Sequence, residues 1–476
     1  MADEKNTVGE RYKVGTLSYT LPSLLLLMVW LLWGDFCFTL MESVFPSVVP
    51  LMLGQLAAPN WLIALFLTTI PNLLNATVCP VVSFCSDRHR SPFGRRIPFI
   101  VRTIPFICLF LALIGLAPHL AAWAVRTGVV TDARILSLIL IGLFTIGFQF
   151  FHMFVASVYY YLFNDVVPPE FLGRFLAAFR FVGAAASGLF YFYIFPKAET
   201  HYVYIFLGAA LIYGVGFWLM CRNVREGSYP APPPASPGMS AFRSGFRAFW
   251  KECFTNRFYW FFYLGIASGA VAFTSNVFMV FFSRSVGLSL EQFGMYSGAA
   301  AVVSAVLLFP CGFLADKFHP LRMMVLAVGG LAVVSLFPLV FLFVKVDPQN
   351  VFAVWCGTAG LSIPFITLLV ATELPTCMQI LPKDRFGQFA SATAMVRSLA
   401  ALSAGLLCGL AFDFLKGTVE RPETAYWYLP IWPAIFHAIS AAFLFLVYLE
   451  WKRLGGREHF RSPASLPNGG YPPQAT

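Results

Sequence analysis

Charged side chains are scarce in this sequence: Asp, Glu, Lys and Arg fill 11% of its 476 positions, where soluble domains carry roughly 25%. A soluble fold has no means of hiding the 59% of positions that are hydrophobic. Apolar-polar alternation is also missing. Runs such as 23–32 and 302–309 do not alternate, as the strands of a membrane barrel would. Nor do the ten cysteines form a disulfide framework or a zinc spacing. Cys37, Cys79, Cys108, Cys311 and Cys408 lie in apolar stretches, where a thiol packs as a small hydrophobe. No metal site and no cofactor are expected. Met1–Gly15 is polar and mixed in charge, without the apolar stretch of a signal peptide, so insertion is expected to rely on the first span. The sequon Asn75-Ala-Thr77 falls inside a span and is not expected to carry a glycan.

What is present is a succession of apolar stretches of about 20 residues, each able to cross a hydrocarbon core of roughly 30 Å as a helix. Lipid obliges the backbone to satisfy its own hydrogen bonds. The expected fold is therefore all-α, with twelve transmembrane helices near 22–50, 60–86, 97–120, 136–163, 172–196, 201–221, 257–283, 292–315, 321–344, 350–381, 386–414 and 426–450. With the N-terminus inside, 22 of the 32 Lys and Arg fall in cytoplasmic segments. This asymmetry predicts a multi-pass protein of the cell (inner) membrane with both termini cytoplasmic. It also accounts for the net charge of +10 without nucleic acid.

The Pro-rich run 228–238 cannot continue a helix and splits the chain near its middle. The expected organisation is a six-helix half over 1–221, a cytoplasmic linker over 222–256, a second half over 257–451 and a disordered tail over 452–476. Within the linker, Phe242, Phe246, Phe249, Trp250 and Cys253 recur at helical spacing opposite Arg243, Arg247 and Lys251, the pattern of a basic amphipathic helix on the inner leaflet and its lipids, with partner binding as the alternative.

The halves repeat. The run Pro168–Phe175 shares its Pro-to-Gly and Gly-to-Phe spacing with Pro382–Phe389, and Asp87-Arg88 matches Asp316-Lys317. Parallel repeats of this kind build alternating-access transporters around a site between the halves. The most informative run is Ser86–Arg96, a basic loop with Pro and Gly for a tight turn. In it, Asp87 can cap the third helix or accept from an arginine, while Arg88, Arg90, Arg95 and Arg96 can bind helix carbonyls and lipid phosphates around Gly94. Together with Asp165, Arg174, Asp316, Lys317 and Arg322 at the other inner loops, these residues are the expected cytoplasmic gate. Topology alone also favours positive charge there.

On this loop the chain resembles the major facilitator superfamily, and within it the glycoside-pentoside-hexuronide cation symporters and the sucrose transporters. Gly312–Arg322 is similar to the general loop motif of the superfamily in degraded form, with His319 near an expected glycine and Ser83 in place of the first glycine of half one. The resemblance implies a sugar-type substrate with cation coupling. The sodium-coupled members carry two aspartates on span two where this chain has Asn75 and Cys79, so the expectation is a proton rather than sodium.

Charges inside spans cost roughly 2.5–3.5 kcal/mol each on insertion scales, so they need partners or water. Asp35 and Glu42 share a face of span one and are the expected proton-binding or sugar-binding carboxylates. Asn72 and Asn75 bond either to solute or to neighbouring helices. Glu373 and Arg397 stand at similar depth on spans ten and eleven and are expected to form a buried pair, as a switch or a static contact. Arg180 has Asp35 or Glu42 as possible partners. Gln149, His152, Tyr159, Asn276 and Gln379 complete the candidate lining. The reading is a monomeric secondary transporter, proton-coupled, for a sugar or glycoside. A passive facilitator, an efflux carrier or a transporter-like sensor is the alternative, and no nucleophile, acid and base cluster points to an enzyme.

Overall fold

The structure is a computed structural model that describes residues 12–128, 130–229, 249–460 and 462–463. Most of the expected amphipathic helix, the Pro-rich run from 230 onward and the end of the tail lie outside those residues. A short hairpin, β1 (Tyr12–Val14) paired antiparallel with β2 (Leu17–Tyr19), precedes the helices. No strand was expected there. Gly15, at φ +54°, makes its turn.

The helices are α1 (Leu21–Gln55), α2 (Asn60–Arg88), α3 (Ile97–Arg126), α4 (Ala133–Val166), α5 (Pro169–Leu189), α6 (Ala198–Asn223), α7 (Arg257–Ser285), α8 (Leu290–Phe318), α9 (Pro320–Phe343), α10 (Val351–Ile380), α11 (Phe386–Thr418) and α12 (Ile431–Arg453). Among the described residues eleven segments are long and apolar enough to cross a membrane. One of them, Pro169–Asn223, holds 55 residues. As one straight helix it would run about 80 Å, far beyond one bilayer, and it is broken at Phe190–Lys197 by a π-turn and a 3₁₀ turn. It supplies both α5 and α6, which gives the expected twelve.

Local chemistry sets the ends. The side chain of Asp132 accepts from the N–H groups of Arg134 and Ile135 to start α4, and Ser289 with Gln292 forms a capping box on α8. Pro168 and Pro382 precede α5 and the turn into α11 with near-identical backbone angles. Phe175 and Phe389, seven residues after them, are both buried. The repeat seen in the sequence is thus a repeated structural device.

The described residues pack as two compact units, one from Met1–Met52 and Thr77–Pro234, the other from Leu53–Ala76 and Ala235–Thr476. A division at the linker would assign Leu53–Ala76 to the first half; in packing it goes with the second. The reason is close approach to α11. A Cβ on Gly409 would stand 2.6 Å from the Trp61 Cα, and one on Gly405 would stand 2.6 Å from the Thr68 side chain. The core of the second unit is aromatic and aliphatic, with Phe258, Tyr259, Phe262, Phe389, Leu444 and Trp451 all buried.

Candidate functional site

In the first unit, Asp35 is fully buried on α1. Its Oδ1 accepts from the Thr39 hydroxyl at 3.2 Å, while Oδ2 has no partner among the described residues. A Cβ on Gly183 would lie 3.6 Å from that oxygen, ordinary contact distance, so α5 packs against the carboxyl at this point. The guanidinium of Arg180, one turn earlier on α5, acts on Asp35 through its charge, though the two form no ion pair within 4 Å. Glu42, two turns along α1 and half exposed, meets His152 Nε2 of α4 at 2.6 Å. The other ring nitrogen of His152 is buried without a partner among the described residues, and the ring stacks between Phe38 and Phe148. Hydroxyl pairs continue the contact of α1 with α5 and its π-turn: Ser43 with Ser187 at 3.1 Å and Ser47 with Tyr191 at 3.0 Å.

Tyr159 and Gln149 are buried on α4. The Tyr159 hydroxyl donates to the Leu31 carbonyl at 2.8 Å and so ties α4 to α1 instead of lining an open surface. Its neighbour Tyr160 is half exposed, and the charges of Glu42, Asp35 and Arg180 act on it. Sequence reasoning passed over it because adjacent tyrosines in a Tyr-Tyr-Tyr run carry no sign of which one faces the charges.

In the second unit, the Asn72 amide donates to the Thr68 carbonyl of its own helix at 2.8 Å, while Asn75, Asn276 and Gln379 are exposed. Glu373 and Arg397 do meet, at 2.5 Å, but their side chains are 33% and 47% exposed. The expectation of a buried pair is corrected: the protein itself covers these groups only in part. A cluster that the sequence did not reveal closes the other end of this unit. Asp413 of α11 accepts from the N–H groups of Asn60 and Trp61 at 2.8 and 2.9 Å, capping α2. The fully buried Asn60 takes the Tyr426 hydroxyl at 2.6 Å and Lys416 Nζ at 3.4 Å.

The Ser86–Arg96 loop forms a closed network. Arg96 is buried and reaches Asp87 at 2.5 Å, Asp165 at 3.3 Å and the Ser86 hydroxyl. Arg95 forks onto Asp165 with contacts of 2.9 and 2.5 Å, and that carboxylate, by hydrogen bond and charge, holds the guanidinium proton more firmly than usual. Arg90 donates to the Asp87 and His89 carbonyls, whereas Arg88 and Arg174 lie over Phe84 and Phe171. Capping of α3 falls to Glu226, not Asp87: its carboxylate accepts from the N–H groups of Arg95, Arg96 and Ile97 at 2.9, 2.8 and 2.7 Å. Tyr229 hydrogen-bonds Glu226 and lies 4.2 Å under Arg95; burial, then the Asp165 and Glu226 charges, push its hydroxyl well above the usual phenol range.

The corresponding loop of the second unit is sparse. Asp316 and Lys317 are exposed, Lys317 lies over Phe318 and its carbonyl accepts from Arg457, and Arg322 lies over Trp451 and Tyr448. His319 sits at φ +81°, a positive φ like that of Gly94, at φ +102°, in the first loop.

Residues 181–405 match the sequence model of the Major Facilitator Superfamily. No curated protein sequence matches the chain. Among solved structures, a bacterial homologue of the human lysosomal transporter Spinster is similar at TM-score 0.65 and 15% identity, over 90% of this chain and 98% of that one. A bacterial homologue of the iron transporter ferroportin gives TM-score 0.62 and 16% identity, over 89% and 99%. The nucleoside transporter NupG gives TM-score 0.58 and 12% identity, over 90% and 99%. What these likenesses share with the chain is the fold: it is a multi-pass membrane protein of major facilitator architecture that carries that superfamily's sequence pattern over residues 181–405.

Proposed function

We propose that the chain is a secondary transporter working by alternating access, and that it takes up a sugar or glycoside together with a proton. The observation that supports coupling most is Asp35, a fully buried carboxyl with one oxygen unpartnered among the described residues and a guanidinium acting on it. An ionised carboxylate in a low-dielectric site is costly unless paired, and protonation removes that cost. A conformation that hydrates Asp35 and one that buries it therefore differ in proton affinity, which is what coupling requires. Glu42, held on His152, is the second carboxylate on the same helix face.

The sugar reading rests on the loop resemblance and on the hydroxyl groups along α1, Thr39 on Asp35 and Ser43 and Ser47 beyond it. The similar structures are described as transporters of unlike cargo, iron and nucleoside among them, so the choice of solute falls to side chains and not to the fold. Alternation is supported by the structural device repeated in the two halves, Pro168 to Phe175 and Pro382 to Phe389.

The test is reconstitution of the full chain in vesicles carrying an internal pH dye, exposed to a panel of sugars and glycosides. Solute-dependent acidification of the lumen is the expected outcome. Solute uptake without acidification would remove the proton, and absence of uptake for every sugar would remove the substrate class.

A further inference from the structure

A groove of about 500 Å³ opens on the first unit between the start of α3 and the end of α6. Its apolar walls include Phe93, 75% exposed, Val101 and Trp218, 52% exposed. Two arginines enter it, Arg102 and Arg222. Arg102 lies five residues into α3 and Trp218 five residues before the end of α6, so on antiparallel helices both sit about 7–8 Å below the helix ends. Arg222 lies over the Trp218 ring at 5.4 Å. Neither guanidinium has a carboxylate partner among the described residues.

An arginine at that depth on an exposed face is costly without an anion. Its long stem lets the head reach toward the interface, and a guanidinium binds phosphate oxygens as a fork. Two such forks above an exposed indole and phenyl fit one ligand with an anionic head and an apolar tail. We propose that this groove binds an anionic phospholipid of the leaflet beside the Ser86–Arg96 loop. Arg102 and Arg222 hold the phosphate, and an acyl chain lies along Val101 and Trp218. The groove shares no residue with the Asp35 cluster and adjoins the loop network through Phe93 and Ile97, so lipid occupancy bears on the packing of α3 on α6 beside the loop.

The test uses the full chain in nanodiscs of phosphatidylcholine containing either brominated phosphatidylglycerol or brominated phosphatidylcholine at equal mole fraction. Bromine quenches nearby indoles, and the Trp218 component is the difference between wild type and Trp218→Phe. Quenching of that component is expected to be several-fold stronger with brominated phosphatidylglycerol. The preference should fall to about one in Arg102→Gln/Arg222→Gln. Should that pair fail to fold, Arg222→Gln alone, at an exposed helix end, should reduce it. Equal quenching by both lipids in wild type would overturn the site, as would a preference that survives these substitutions. Loss of the preference on adding inorganic phosphate at matched ionic strength would assign the arginines to free phosphate and overturn the lipid.

Discussion

A Cβ on Gly94 would stand 2.5 Å from the Cβ of Glu226, so the turn before α3 and the segment after α6 fit only because Gly94 has no side chain. Glu226 uses the closeness to accept from three N–H groups at the start of α3. Glu226→Ala leaves those donors orphaned and should cost about 1–2 kcal/mol, read as a lower unfolding temperature in detergent. Glu226→Gln should recover part of the loss. Gly94→Ala should do at least as much damage, since it adds both a clash and strain at φ +102°. A Glu226→Ala variant with wild-type stability would show that water replaces the cap.

Much of this arrangement was legible in the sequence, and the unread part has a physical pattern. Spans were readable because hydropathy is a local property, and the arginine loop was readable because its charges are contiguous. Glu226 and Asp413 were not, because each caps a helix that begins far away in sequence, and a lone acid near a span end looks like any solvated charge. The opposite error occurred at Glu373 and Arg397. Their equal depth predicted contact, which the structure has, but depth does not report which way a helix face turns.

That exposure changes the expected energetics. A buried pair losing one partner costs roughly 3–5 kcal/mol, whereas exposed pairs contribute on the order of 1 kcal/mol or less. Glu373→Gln and Arg397→Gln should each shift thermal stability only slightly, with a coupling energy in the double-mutant cycle at the low end. A coupling of several kcal/mol would mean that the pair faces lipid instead of water, or that another conformation buries it.

Asp165 and Asp87 both bind Arg96, but Asp165 is 11% exposed and also carries Arg95, while Asp87 is 56% exposed. Neutralising Asp165 leaves Arg95 without its carboxylate and Arg96 with Asp87 alone. Asp165→Asn is therefore expected to lower stability by roughly 3 kcal/mol. Asp87→Asn should instead leave insertion and substrate affinity within a few fold while slowing turnover. Equal stability loss in the two variants would make both residues structural, and normal turnover in Asp87→Asn would remove it from the gate.

His319 gives a pH dependence. Burial, then the charges of Arg322 and Arg457, lower its pKa from 6.5 to about 4, so the folded protein keeps the ring neutral where the unfolded chain would protonate it. Above pH 6.5 the residue contributes nothing pH-dependent. As pH falls through the interval from 6.5 to about 4 the unfolded state gains the proton and stability declines, and below about 4 the effect is constant. His319→Asn keeps a side-chain acceptor for the Leu321 N–H, which His319 Nδ1 now takes, and removes the titration. Its unfolding temperature should fall less steeply than that of wild type between pH 6.5 and 4, and parallel curves would show that other groups dominate.

The last prediction concerns the proton. Asp35 is buried with a free oxygen, whereas Glu42 is half exposed and already holds His152, so the two carboxylates should separate under substitution. Asp35→Asn fixes a neutral side chain of the same size in a site that needs charge only in one conformation. It should abolish accumulation against a gradient while preserving counterflow exchange, since exchange moves solute both ways with no net proton movement. Glu42→Gln keeps a hydrogen bond to His152 available and should weaken apparent proton affinity, seen as a shifted pH profile, without eliminating accumulation. Span two carries Asn75 and Cys79, neither of them a carboxylate for a hard cation, so replacing sodium with potassium should change nothing. Accumulation that survives Asp35→Asn would place coupling on Glu42 and His152, and accumulation that requires sodium would show that the coupling ion is not the proton.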